Sequence, residues 1–362
     1  MDNKVILKDL SRQIVMTGVY YKDNHPGGIS AVVQYWSKYI EGLQYYPTFK
    51  EGNRLTKIFL FFISIVRLFY KLKYDKNVRI VHIHTAAGTD FTRTAIVADL
   101  AKRYGKKVII HLHASSFKNY YLDSSDKRKK WIRNILNMAD ILIALSDSWK
   151  NYYMSLGVPG EKIEILHNIT EYPIKKNVEK QENKVRLLFL GEIGERKGVF
   201  DLLKVIADHK EELKDKIELR IGGNKQEEKI RSVIKDGELE SFVIFLGFVA
   251  GEKKIDLLNW ANVFILPSYN EGLPISILEA MSYEMPIIST PVGGIQEVVC
   301  KDNGILVTPG NHSQIYNAIK YYIDNFQMIS KHGKNSYQKV KTYYPDYVIT
   351  HLREIYVRLL AS

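Results

Sequence analysis

Residues 265–280 read ILPSYNEGLPISILEA, and this stretch decides the fold. An apolar strand ends at Pro267, a polar loop follows, and a helix begins near Pro274, where proline is tolerated in a first turn. The backbone N–H groups and positive dipole end of that helix would face an anion such as a phosphate. Glu271 sits in the loop and Glu279 about one turn into the helix, several ångströms along at about 1.5 Å per residue. A ligand with phosphate in its middle and polyhydroxyl groups at both ends fits this arrangement. A carboxylate accepting hydrogen bonds from vicinal hydroxyls contributes about 1.5–3 kcal/mol. Two glutamates alone would read as charges answering a helix dipole; the flanking glycines, prolines and strand turn them into a binding site.

A second such turn lies upstream. Residues 189–198, FLGEIGERKG, run from a strand through a glycine-rich turn into an amphipathic helix bearing Val199, Leu202, Leu203, Val205 and Ile206. Arg196 and Lys197 at the helix start make it an anion cradle. Some enzymes that release a phosphate group neutralise it with a divalent metal held on an Asp-x-Asp motif. The chain has no Asp-x-Asp, and its one cysteine and scattered histidines suggest no metal cluster. Arg196, Lys197 and the helix dipole are the expected replacements, with neither metal nor cofactor required.

Outward from these turns, short apolar runs alternate with amphipathic helical stretches, the pattern of a parallel sheet covered on both faces. Strands are expected at 13–19, 79–84, 107–113, 141–144 and 163–166, then at 185–190, 218–221, 243–245, 263–266, 286–289 and 304–307. The polar segment 171–184, EYPIKKNVEKQENK, divides the two series as a linker. The expected fold is α/β: two Rossmann-like parallel-sheet domains facing a central cleft. An N-terminal domain would span 1–170 plus 346–362 and a C-terminal domain 185–345. Ligands of such sheets bind at the carboxyl ends of the strands.

At 362 residues, two cores of ordinary size are expected. Cys300 is the one cysteine, which excludes an intrachain disulfide and fits a cytoplasmic setting. The most apolar run, 58–66, is too short to span a bilayer, which takes about 20 residues. The net charge of +12 is lopsided: residues 1–170 hold 26 Lys/Arg against 14 Asp/Glu, and the remainder holds 26 of each. A basic first half suits an anionic partner. Residues 55–74 combine apolar residues with Lys57, Arg67, Lys71 and Lys73, and 127–131 set four basic residues beside Trp131. Both fit contact with anionic lipid, or equally a core helix and a solvated charge run.

The run NEGLPISILEAMSYEMPIISTPVGGIQEVV, with FLGEIGERKG before it, resembles glycosyltransferase family 4, whose fold is called GT-B. The resemblance implies that Glu271 contacts the transferred sugar, that Glu279 holds the ribose, and that the backbone of Gly272, Leu273, Pro274 and Ile275 meets the diphosphate. Gly191 and Lys197 match the family's diphosphate loop. An arginine often follows the first glycine there; here that position is Glu192, and Arg196 is the substitute. Gly222, Gly223 and Phe248 match the nucleobase region. The loop His25-Pro26-Gly27-Gly28 before a helix at 31–40 resembles the family's N-terminal glycine loop, with Gly27 and Gly28 approaching the donor. His113 matches a histidine set against the donor sugar, while His84 and His111 read equally well as buried structural residues. Ser115 and Ser116 are candidates for the acceptor.

The resemblance further implies a last helix crossing back onto the first domain and transfer with retained anomeric configuration. The expected protein is thus a hexosyl- or N-acetylhexosaminyltransferase using a nucleotide sugar, with a UDP-sugar favoured over GDP-mannose. Its acceptor would be lipid-linked or glycan, in bacterial capsule, exopolysaccharide or O-antigen assembly. It would work in the cytoplasm, peripherally on the inner face of the membrane, with no nucleic-acid partner. Rival readings are an epimerase or phosphorylase on the same fold, or a non-enzymatic basic protein binding membrane or nucleic acid.

Overall fold

The computed structural model describes residues 5–22, 27–113, 115–176 and 184–362. His25 and Pro26 of the first glycine loop, and 177–183 of the expected linker, lie outside the described residues. The chain forms two compact units, residues 1–169 with 345–362, and residues 170–344.

The first unit is built on a six-stranded sheet in the order β2-β1-β3-β4-β5-β6. Its strands are β1 (Ile14–Val19), β2 (Tyr45–Phe49), β3 (Ile80–Thr85), β4 (Lys107–Leu112), β5 (Ile141–Ala144) and β6 (Ile163–Ile165). The second unit carries β7 (Val185–Leu190), β8 (Ile217–Gly222), β9 (Val243–Phe245), β10 (Val263–Leu266), β11 (Ile287–Ser289) and β12 (Gly304–Leu306). They run in the order β12-β11-β10-β7-β8-β9. The pairings described in both sheets are parallel, which demands helices on both faces and apolar residues along whole strands. All four residues of β10 are buried accordingly.

In the second sheet the chain proceeds from β7 outward to β9 on one side, then restarts at β10 on the other. That reversal between β7 and β10 is the topological switch point, where ligands of open parallel sheets bind. The loops that follow are 191–198 and 267–274.

The sequence reading omits β2. Its Pro47 cannot donate to a ladder, and the strand is tolerated because it is the sheet's edge, paired only with β1. Strand β4 stops at Leu112, one residue short of expectation, although His113 N still donates to Thr85 O at 2.9 Å. The helix expected at 31–40 is Gly28–Tyr39, so Gly28 opens the helix rather than preceding it.

The described part of the expected linker packs on the second unit. Tyr172 stacks on Tyr344, Ile174 N donates to the Tyr283 hydroxyl at 3.1 Å, and Lys176 bridges Asp256 and Glu252. The last helix, Pro345–Ala361, belongs to the first unit, where it buries Leu352, Ile355 and Tyr356.

Helix Arg54–Tyr74 departs from a core helix. Asn53 caps it by accepting from Thr56 N, and Ser64, Leu68 and Leu72 face inward. Leu55, Ile58, Phe59, Phe62, Ile63, Val66, Tyr70 and Tyr74 are exposed, Leu55 by 77% and Phe59 and Phe62 by 65% each. Their spacing of three and four residues places them along one outward stripe. Among the described residues, no helix is long and apolar enough to cross a membrane.

Candidate functional site

The loops at the second unit's switch point interlock through glycines. Gly198, at φ +70°, has no room for a side chain because a Cβ would lie 2.1 Å from Pro267 O. Tyr269 N donates to Arg196 O at 2.9 Å, tying the two loops together. Gly293, at φ +56°, backs onto Glu271: a Cβ there would lie 2.0 Å from Glu271 O. Gly294 N closes the same contact on Gly272 O at 2.6 Å. The loop bearing Glu271 is therefore held from both sides, as a preorganised ligand group requires.

Two carboxylates expected to grip hydroxyls are each held by a lysine. Glu271 is 5% exposed; its Oε1 accepts from Lys197 Nζ at 2.5 Å and from Ser268 Oγ at 2.8 Å. Arg196 stands further off, with Nη1 3.8 Å from Glu271 Oε2 and 3.1 Å from Asn270 O. Glu279, on helix Ile275–Ser282, is 7% exposed and pairs with Lys254 Nζ at 2.6 Å. Burial alone would lower the Lys254 ammonium pKa, but Glu279, helped by Glu171 and Tyr283, outweighs it and the pKa is raised. Lys254 is a site residue that sequence reasoning misses: it lies on helix Gly251–Trp260, outside both glycine turns, with no pattern to mark it.

Glu192, the departure from the family pattern, is matched by Lys225 at 3.2 Å, with Arg196 at 3.9 Å. The Arg196 guanidinium is thus shared among Glu192, Glu271 and the Asn270 carbonyl. Leu273 is buried, and Pro274 caps helix Ile275–Ser282. Gly222 and Gly223 have a packing duty as well. A Cβ on Gly223 would lie 1.9 Å from Gly191 O, and one on Gly222 2.5 Å from Val249. Phe248 is 47% exposed beside them, a ring face open to stacking.

In the first unit the strand-end histidines assemble into one layer. β3 and β4 pair His84 with His111, so alternation sets His82, His84, His111 and His113 on the same face. His82 Nδ1 meets the Tyr356 hydroxyl at 2.7 Å, His82 Nε2 lies 3.4 Å from His111 Nδ1, and His84 Nδ1 lies 3.0 Å from His113 Nε2. Trp36 packs on three of the rings. Burial holds all four imidazoles well below their usual range, His82 at about 3, so they are neutral at physiological pH. The histidines are not scattered in space: sheet register gathers residues that are far apart in sequence. Ser115 is half-buried and Ser116 exposed just beyond His113, before helix Phe117–Leu122. A Cβ on Gly28 would meet nothing within 4 Å, leaving that helix start open to close approach.

Both halves of the chain are similar to known proteins. Residues 171–339 match the family described as glycosyl transferases group 1, and residues 28–171 match glycosyltransferase family 4. An uncharacterised glycosyltransferase of Methanocaldococcus jannaschii is 30% identical over 314 residues, covering 82% of this chain and 79% of that protein. The amylovoran biosynthesis glycosyltransferase AmsK of Erwinia amylovora is 26% identical over 59% of this chain and 54% of its own length. Among solved structures, Anabaena HepE in complex with UDP-glucose superposes with a TM-score of 0.73 at 17% identity, covering 96% of this chain and 99% of that one. That likeness is one of fold, the GT-B glycosyltransferase architecture.

Proposed function

The chain belongs to glycosyltransferase family 4, the group 1 glycosyltransferases, and on that premise we propose its donor, acceptor and chemistry. It moves a hexosyl or N-acetylhexosaminyl unit from a UDP-sugar, with GDP-mannose the second choice, to a lipid-linked or glycan acceptor. The setting is assembly of a bacterial capsule, exopolysaccharide or O-antigen, as the names of relatives such as the amylovoran enzyme suggest.

The observation that carries this reading is the Lys197–Glu271 pair at the switch point. Glu271 accepts hydrogen bonds from hydroxyls of the transferred sugar, while Lys197, Arg196 and the start of helix Ile275–Ser282 meet the diphosphate. Glu279, with Lys254 behind it, takes the ribose hydroxyls, and Phe248 with the backbone of Gly222 and Gly223 takes the base. The bond from the anomeric carbon to the diphosphate oxygen breaks, and its electron pair leaves with the phosphate. The acceptor oxygen bonds to that carbon on the same face, and its proton passes to the departing phosphate. The cations and the helix dipole carry the developing charge, so this step calls for no divalent metal. His113 serves the donor sugar as a neutral hydrogen-bonding group, and Gly27 and Gly28 let backbone come close to the donor. Ser115 and Ser116 belong to the acceptor side.

The outward stripe of helix Arg54–Tyr74 supports peripheral attachment to an anionic membrane, with Lys57, Arg67, Lys71 and Lys73 on the same helix. A thermal-shift panel of UDP-, GDP-, ADP- and dTDP-sugars tests the donor assignment. A donor at 100 times its Kd adds about 2.7 kcal/mol of stability. A shift with UDP-sugars first is expected; no shift with any of the four overturns the assignment. Anomeric coupling constants of the product then test retention, which an inverted linkage would refute.

A further inference from the structure

The histidine layer of the first unit has features that its sugar-facing end does not explain. His82, His84 and His111 are 0–1% exposed, and one ring nitrogen from each lies within 4.8 Å of the others. Among the described residues, His84 Nε2, the nitrogen left free to meet an ion, is buried with no hydrogen-bond partner, and so is His111 Nε2. A buried polar atom left unpaired costs about 1–3 kcal/mol, and a native core seldom holds one without a reason.

We propose that His82, His84 and His111 form a buried binding site for a divalent transition-metal ion of the zinc type. Neutral imidazoles are good ligands for zinc, nickel and copper, whereas magnesium and calcium want oxygen. His82 Nε2 and His111 Nδ1 stand 3.4 Å apart. Two nitrogens bound at about 2.0–2.1 Å on a tetrahedral ion are separated by roughly 3.4 Å. Bringing the third ring into the same sphere asks for a movement on the order of 1 Å. Three histidines with a fourth position left to water is a familiar zinc geometry.

Two of the three ligands have an oriented partner behind them; His111, bound through Nδ1, keeps an Nε2 with no partner among the described residues. A ligating histidine usually gives its other ring nitrogen to an oriented partner. His82 Nδ1 has the Tyr356 hydroxyl, and His84 Nδ1 has His113 Nε2. Gly18 makes the room: a Cβ there would lie 2.9 Å from His84 Cβ and 2.7 Å from the Tyr45 hydroxyl. Through the His84–His113 contact the ion would fix the ring of His113, making His84 a positioning residue for it. The inference concerns residues of the first unit alone and meets the proposed donor chemistry only through the ring of His113.

The test uses tag-free, full-length protein stripped with chelator and titrated with zinc chloride, then with cobalt chloride as a visible probe. One ion per chain after gel filtration, a raised Tm, and a cobalt spectrum of four-coordinate intensity are expected. His84→Gln and His111→Gln should each weaken binding at least tenfold, while His351→Gln and His312→Gln, at more exposed histidines outside the layer, should not. Binding unchanged in His84→Gln, or no stoichiometric ion in the wild type, overturns the proposal. Should a variant fail to fold, X-ray absorption on the wild-type zinc form decides: imidazole shells support the site, and their absence sinks it. The UDP-sugar thermal shift, read in parallel, keeps a failure here distinct from a failure of the donor assignment.

Discussion

The two units bury polarity at their strand ends in opposite ways. The second unit, with no net charge in its sequence from 171 onward, buries whole charges and matches each: Lys197 with Glu271, Lys254 with Glu279. The first unit carries the entire +12 excess, yet its strand ends bury three neutral imidazoles, His82, His84 and His111, with His113 half-buried beside them. A paired charge can change partners when an anionic ligand arrives, and so suits a group that must grip a diphosphate sugar. A neutral imidazole offers a lone pair or a single N–H without a counter-charge. The same sheet architecture therefore hosts two kinds of chemistry, set by what stands beside each strand end.

Breaking the Lys197–Glu271 pair should have the largest effect. Lys197→Met leaves a buried carboxylate uncompensated, at about 3–5 kcal/mol of stability, and should cut transfer by a hundred- to a thousandfold. The double variant Lys197→Met/Glu271→Gln should regain most of that stability in chemical denaturation while staying inactive. Recovery of turnover along with stability would show the pair to be structural only. Next comes Glu279→Gln, expected to weaken donor binding by about 1.5–3 kcal/mol, ten- to a hundredfold in Kd, with kcat less affected. An unchanged Kd by calorimetry would remove Glu279 from the ribose.

On the first unit, Phe59→Ser with Phe62→Ser should lower partitioning onto anionic vesicles at least about tenfold, since full burial of one such ring is worth about 1.5–3 kcal/mol. Transfer to a soluble glycan acceptor should stay intact. Equal vesicle binding by this variant would dissociate the stripe from the membrane. The smallest effect belongs to Arg196→Ala. Its side chain is 40% exposed and 3.8 Å from Glu271, against 2.5 Å for Lys197. A loss under about tenfold is expected from such a screened pair. A loss matching that of Lys197→Met would make Arg196 a full replacement for the missing arginine.

Much of this was legible in the sequence because the turns after β7 and β10 are local features. Glycine, proline and glutamate at fixed spacing specify strand, loop and helix start without reference to distant residues. What escaped was whatever depends on distance in sequence or on the direction a helix faces. Strand β2 hid behind Pro47, which only an edge position permits. Lys254 reaches Glu279 across 25 positions, and His82 reaches Tyr356 across 274. The stripe at 55–74 has the same composition whether it faces a core or the outside, so packing alone could decide between the two.

Thr170 N donates to Tyr343 O at 3.0 Å, so the second unit opens and closes at one hydrogen bond. Residues 170–344 thus form a cassette with both cut points stitched together, suited to exchange between relatives. Grafting that cassette from a homologue should swap the sugar a hybrid dispenses while the host's acceptor preference is kept. Clipping the C-terminus, by contrast, would strip Tyr356 from His82 and injure the half that the missing residues do not adjoin in sequence.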